Sequence, residues 1–315
     1  MNRESLRARI DTLKRQRDAV ILAHNYQRPQ VQDVADYLGD SLDLARIAAR
    51  TNASVVVFCG VRFMAETAAI LAPEKIVLLP VAEAGCPLAD MVTAEQVRRF
   101  RVDHHDAQVV CYVNTSAAVK AESDLCCTSA NAVSVVGFVR DDHPVLFVPD
   151  RNLGHHAARL NEREITLWNG WCPTHNTISL ADVRASRRAH PRAELLAHPE
   201  CPPEVLSDAD HVAGTSGMLT YAGTSEAEEF IVATEIGMVH RLRKAHPEKQ
   251  FYAATDHFVC PTMKMTTLDH VLRSLEQMTH VVTVPPETRE RARRSIAAML
   301  AAGEPTGTAV RRISA

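Results

Sequence analysis

Short apolar runs punctuate the chain at AVILAHNY (19–26), SVVVFCG (54–60), KIVLLP (75–80), QVVCYVN (108–114), PVLFVPD (144–150), ELLAHPE (194–200) and QFYAAT (250–255). They are rich in Val, Ile and Leu without strict polar alternation, as strands are when helices cover both faces of a sheet. Between them, ADYLGDSLDLARIAAR (35–50), FMAETAAILA (63–72), AEQVRRFRV (94–102), AEEFIVATEIGMVHRLRKA (227–245) and LDHVLRSLEQM (268–278) repeat apolar positions at three- and four-residue intervals and predict crossover helices. The N-terminal segment 1–18 predicts an amphipathic helix with Leu6, Ile10 and Leu13 on one face. The alternation of the two patterns predicts a parallel α/β architecture. No apolar run approaches membrane-spanning length, and the N-terminus is polar rather than a leader, so a cytoplasmic protein is expected.

A coarse repeat overlies this alternation. Cys86-Pro87, Cys172-Pro173 and Cys260-Pro261 fall at nearly equal spacing, each some way after a strand-like run: VLLPVAEAGCP, ITLWNGWCP and FYAATDHFVCP. The pattern predicts three similar α/β units, each delivering one cysteine from a loop beyond a strand's carboxyl end, where open α/β sheets place ligand sites. Cys201-Pro202 is out of step, so the dipeptide alone does not prove convergence.

Composition narrows the partners. A chain of 315 residues is long enough for one large α/β unit or two to three smaller domains, and its net charge of −3 comes with no basic stripe, so neither nucleic acid nor a membrane surface is implied. A small-molecule substrate is the default. The eight cysteines, without an export signal, are expected as reduced thiols. Cys59 and Cys111, inside apolar runs, read as small buried hydrophobes, and the adjacent Cys126-Cys127 reads as packing because neighbouring cysteines bridge only with strain.

Three thiolates from three loops suit an iron–sulfur or soft-metal site, and the absence of cysteines two apart leaves cluster and zinc both open on spacing. A cubane on three cysteines would keep one iron free for Lewis-acid chemistry. Polar strings end the apolar runs: AHNYQ with His24 and Tyr26, GDS with Ser41, CYVNTS with Tyr112 and Asn114, CCTSAN with Thr128, Ser129 and Asn131, AHPEC with His198 and Glu200, and GTSG with Thr215 and Ser216. Hydroxyls, amides and helix N-termini bind carboxylate and phosphate oxygens, and His, Tyr and Glu move protons when burial tunes them, so anionic substrates are implied. On residue type alone, Ser41 and Thr128 also read as helix caps, His24 and His198 as core histidines, Tyr112 as packing, and Asp33, Asp36, Asp40 and Asp43 as solvated faces or caps. No phosphate loop or dinucleotide fingerprint competes.

In order and content these strings resemble the quinolinate synthase A family along most of the chain, through ILAHNYQRPQVQDVADYLGDSLDLAR, FCGVRFMAETAAILAPEKIVLLP, EAGCPLADM, YVNTSAAVKAESDLCCTSANA, FVPDRNLG, WNGWCPTH, HPECPPEV, GTSGM, FIVATEIGMVHRLRK and CPTMKM. The resemblance implies three parallel-sheet αβα domains in pseudo-threefold arrangement around a [4Fe-4S] cluster on Cys86, Cys172 and Cys260. The expected domains are 1–84 with 262–315, then 85–171, then 172–261. It implies condensation of iminoaspartate, made by an aspartate oxidase or dehydrogenase, with dihydroxyacetone phosphate to give quinolinate in de novo NAD biosynthesis. The implied substrate-contacting set is His24, Tyr26, Ser41, Tyr112, Asn114, Ser129, His198, Glu200, Thr215 and Ser216, with His175 beside Cys172; Tyr26 and Glu200 are the expected proton-transfer pair, with His24, His198 and Tyr112 as further catalytic candidates. The chain departs from the family's usual pattern at Asn25, at Trp168-Asn169-Gly170 and at Pro173. Two other readings stand beside this one: a zinc site of the three cysteines with His175, and a cluster-based sensor that binds a small acid without turnover.

Overall fold

The computed structural model describes residues 3–302; residues 1–2 and 303–315, the end of the expected first domain, lie outside the described residues. The described strands are β1 Ala19–His24, β2 Tyr37–Gly39, β3 Val55–Cys59, β4 Ile76–Leu78, β5 Gln108–Tyr112, β6 Leu125–Cys127, β7 Val145–Val148, β8 Thr166–Leu167, β9 Glu194–Ala197, β10 His211–Val212, β11 Glu229–Ala233 and β12 Gln250–Ala253. They form three four-stranded parallel sheets with one strand order used three times: β2-β1-β3-β4, β6-β5-β7-β8 and β10-β9-β11-β12. This is the expected α/β class in three similar units.

The inner strands are apolar throughout because both faces are covered. In β1, Val20 and Leu22 point into one core cluster while Ile21 and Ala23 point into another, where the N-terminal helix Arg3–Arg17 contributes Leu6, Ile10 and Leu13 and the helix Leu268–Gln277 contributes Leu268, Val271 and Leu275. Each such fully buried side chain is worth roughly 1.5–3 kcal/mol relative to exposure. The helix Pro286–Ala302 lies against the helix Ala117–Ala121 and β6, sealing the second sheet with Ala292, Ile296 and Met299.

Two predicted helices are shorter than the periodicity suggested. In 35–50, Tyr37–Gly39 instead pairs with β1, and the buried Asp40 caps the helix Ser41–Arg50 by accepting N–H bonds from Leu42 and Asp43. The cap is therefore Asp40 and not Ser41. In 227–245, Glu229–Ala233 is β11, held between β9 and β12, and the helix starts only at Gly237. A strand buried on both faces has no alternation to set it apart from a helix whose apolar face follows it. Thr128 caps no described helix either; its backbone N–H and hydroxyl both donate to Asn131.

The three cysteine loops repeat in detail. Each cysteine carbonyl accepts a backbone N–H three or four residues on, a short 3-10 turn follows (Ala89–Met91, His175–Thr177, Met263–Met265), and a capping box then starts the next helix, on Thr93 with Gln96, Ser179 with Asp182 and Thr267 with His270. Each cap lies seven residues after its cysteine.

Candidate active site

Residues just beyond the strands of all three sheets line one cavity. The shared register makes their positions comparable. Ala23 pairs with Cys59, Cys111 with Val148 and Ala197 with Ala233. One residue past these inner-strand positions stand His24, Tyr112 and His198; three residues past them stand Tyr26, Asn114 and Glu200. The same inner residues pair on their other side with Leu38, Cys126 and Val212, and three residues past those stand Ser41, Ser129 and Thr215. Cys86, Cys172 and Cys260 complete the set from the fourth strand of each sheet. All these residues line the cavity, so four positions in each of three units build it. Ser216 is not among the lining residues; its hydroxyl donates to Asp43 Oδ2 at 2.6 Å.

Buried donors hold the loops that present these side chains. The Gln32 amide donates to the carbonyls of Asn25, Gln27 and Gly237 at 3.0, 2.9 and 3.0 Å, gripping the chain on either side of Tyr26. Six residues past Asn114, as Gln32 is past Tyr26, the fully buried Lys120 ammonium donates to the carbonyls of Val113 and Thr115 at 2.7 and 2.5 Å. From the second unit, Asn152 donates across to the Glu200 carbonyl of the third at 3.0 Å. Between units, Asn25 donates to the Thr215 hydroxyl at 2.8 Å. Gly214, just before Thr215, permits the close approach of the Ser129 loop, for a Cβ would sit 2.8 Å from Ser129 Oγ.

Burial sets the protonation states. His24 and His198 are pushed down to about 3, by burial first and then by Lys264 and His175 respectively, so both are neutral imidazoles at physiological pH. His24 Nδ1 accepts the Tyr26 backbone N–H at 3.2 Å, which leaves the ring proton on Nε2. Burial and the nearby Glu200 raise the phenols of Tyr26 and Tyr112 well above their ordinary value, keeping them as O–H donors. Burial pushes the Glu200 carboxyl up, but His175, 2.7 Å away, outweighs it and holds it below the usual carboxylate range. A hydrogen-bonded chain joins the expected proton-transfer pair: Tyr26 Oη lies 2.7 Å from Thr234 Oγ1, which lies 2.8 Å from His175 Nε2, and His175 Nδ1 lies 2.7 Å from Glu200 Oε2. Thr234 and Glu235 were missed in the sequence because they follow β11, which the helical pattern concealed. Glu200 Oε1 and Asn114 Oδ1 are buried without a protein partner, as expected of atoms that face a ligand.

The thiols fit a metal centre. Cys86, Cys172 and Cys260 are free and face one cavity. Burial pushes the Cys86 thiol up to about 12, and burial with Glu200 raises Cys172 well above the ordinary thiol value, so thiolates there need bound cations beside them. Cys172 Sγ, His175 Nδ1 and Glu200 Oε2 also lie within 4.8 Å of one another and could hold a metal. The other cysteines pack: Cys59, Cys111, Cys126, Cys127 and Cys201 are buried and free, with Cys111 and Cys126 sulfurs 3.3 Å apart.

Three parallel-sheet units closing on a thiol-lined cavity define an α/β enzyme acting on small molecules, with side chains that could hold a metal. The family model described as Quinolinate synthetase A protein matches residues 8–301. Quinolinate synthase from Methanoregula boonei is 55% identical over 94% of this chain and 98% of its own, that from Methanosarcina barkeri 53% over 96% and 99%, and that from Dehalococcoides mccartyi 51% over 95% and 99%. The chain belongs to the quinolinate synthetase A family. Membership in a family of synthases removes the sensor reading. Among the described residues no helix is long and apolar enough to cross a membrane.

Proposed function

We propose that this chain is a quinolinate synthase that condenses iminoaspartate with dihydroxyacetone phosphate, releasing phosphate and water, in de novo NAD biosynthesis. The observation that supports this best is the triplication of the site: one thiol, one donor ring and one hydroxyl from each unit around a cavity dry enough to keep His24 and His198 neutral. On this reading Cys86, Cys172 and Cys260 hold a [4Fe-4S] cluster, which supplies a Lewis-acidic iron when bound. The unit boundaries on this reading fall at 84/85, 171/172 and 261/262, close to each thiol, with the helix Pro286–Ala302 reaching over to the second sheet. The reduced thiols suit a cytosolic enzyme supplied with iminoaspartate by an aspartate oxidase or dehydrogenase.

The chain's own residues do the rest. Ser41 and Thr215, first residues of their helices, and Ser129 clamp carboxylate or phosphate oxygens. Neutral His24 donates Nε2–H to a leaving or carbonyl oxygen, and His198, Tyr112 and Asn114 fix the substrate's orientation. Glu200 takes a proton as carboxylate and Tyr26 gives one as phenol, with Thr234 and His175 linking them. Ser216 acts through Asp43 on the neighbouring helix.

The test is quinolinate formation by anaerobically reconstituted protein given dihydroxyacetone phosphate and freshly generated iminoaspartate, beside an air-exposed sample and the variants Glu200→Gln and Tyr26→Phe. Product that disappears on air exposure, and falls roughly 100-fold or more in each variant, is expected. No product with an intact cluster would overturn the assignment, and variants matching the parent would remove those two residues from the chemistry. The second reading, a single zinc on Cys172, His175 and Glu200, is favoured by their mutual approach. It predicts colourless protein with zinc and no labile sulfide.

A further inference from the structure

The threefold register exposes a position that differs between units. Three residues past Cys59, Val148 and Ala233 stand Arg62, Arg151 and Ile236, whose backbone N–H groups each bond the carbonyl two residues before the site cysteine: Ala84, Gly170 and Phe258, all at 2.8 Å. The residue just before each of these is therefore equivalent across units: Val61, Asp150 and Glu235. Asp150 and Glu235 are fully buried. Asp150 accepts the Leu153 N–H on Oδ1 at 2.8 Å, capping the helix Arg151–Leu160, and the Cys172 N–H on Oδ2 at 3.0 Å. Glu235 repeats the arrangement, accepting the Gly237 N–H on Oε2 at 2.7 Å and the Cys260 N–H on Oε1 at 3.2 Å, with Lys264 Nζ at 2.8 Å as its counter-ion. Gly237 allows this fold-back, since a Cβ there would lie 2.8 Å from Glu235 Oε2. Val61 can do neither, and the helix Arg62–Leu71 that follows it has no side-chain cap.

We propose that Asp150 and Glu235 are positioning residues for the thiol loops, each tying a site cysteine's backbone to the start of a neighbouring helix, and that the Cys86 loop, lacking the tie, is the one that yields first. A carboxylate suits the task because it has an acceptor oxygen for each N–H; an amide of the same shape has one acceptor and turns an NH2 on the other donor. The consequence for the reaction is asymmetric: two thiols are held in place, while the third has backbone contacts alone. As a statement about metal-holding loops this rests on the proposed function, but the ties themselves belong to the protein.

The experiment is time-resolved alkylation by iodoacetamide, read cysteine by cysteine by mass spectrometry, on the full chain with and without reconstituted cluster. In the parent, amide hydrogen exchange is expected to be faster at Cys86 than at Cys172 and Cys260, whereas alkylation, which also carries each thiol's burial, is compared between parent and variant at the same cysteine. Asp150→Ser keeps a capping oxygen for Leu153 but cannot reach the Cys172 N–H. It should label Cys172 about tenfold faster, as leaving one buried backbone N–H unpaired implies, while Cys260 keeps the parent's rate. Glu235→Gln should do the reverse, speeding Cys260 alone. In the reconstituted protein both variants should release iron to a chelator faster than the parent. Unchanged labelling, or acceleration spread over all three sites, would overturn the proposal. A parent that takes up no cluster would sink the cofactor assignment and leave the cluster-free change in labelling between parent and variant at each cysteine as the measure of the ties.

Discussion

At the scale of single residues, burial suppresses the charge of His24 and His198 while Glu200 stays a carboxylate. His24, His198 and, outside the cavity lining, His156 are held well below the ordinary value of 6.5 by burial, the first two at about 3 and the last at about 4. Folding therefore requires them neutral, while the unfolded chain takes up their protons as soon as pH drops through 6.5. Their stabilising share is complete above that pH and is lost as pH falls toward their folded values. Each histidine should contribute a slope of about 1.4 kcal/mol per pH unit across the window. Urea titrations of the cluster-free protein between pH 7 and pH 4 should show this fall, and His198→Asn should flatten it; an unchanged slope would mean that His198 is protonated in the folded state. The residue types at these positions were legible in the sequence, because a His, Tyr or Glu ending an apolar run is unusual. Their protonation states were not, since burial comes from two other units.

At the scale of elements, the edges were harder to read than the centres. Strands such as β3 and β5 stand out as continuous Val-rich runs, whereas β2, β6 and β10 are two or three residues long and make sense only beside an inner strand. β11 was hidden by the helix after it, and with it Thr234 and Glu235. A signal that could have extended the repeat was present: a Ser or Thr seven residues after each site cysteine, followed three residues later by Gln, Asp or His. The buried clamps were beyond sequence reasoning, because nothing local marks Gln32 or Lys120 as different from surface residues. Gln32→Leu would leave carbonyls of Asn25, Gln27 and Gly237 without their donor. It should cost roughly 1–3 kcal/mol in a urea melt, with a further loss of turnover because Tyr26 sits between two of them. A variant as stable as the parent would show that water replaces the amide.

At the scale of the whole molecule, three units of one design meet where their strand ends point. The cysteine-proline spacing disclosed that design, and the shared strand order explains why equal spacing produces convergence. If the thiols hold one cluster, it bridges loops from all three units, and its removal should be felt globally. Chelation under anaerobic conditions is expected to lower the melting temperature by several degrees, roughly what a linkage of a few kcal/mol produces in a chain this long. A melting temperature that ignores iron content would mean the units hold together without help.

The order in which the thiols appear along the chain has a further consequence for biogenesis. Cys86 and Cys172 are synthesised long before Cys260, and the helix Leu268–Gln277 that returns to pack on the N-terminal helix comes later still. A nascent or truncated chain that ends before Cys260 thus displays two thiols without the third, and cannot assemble the complete triad. If the three thiols hold one cofactor, metal loading is a checkpoint for synthesis past Cys260: loaded protein would count only chains that have been translated through the third unit.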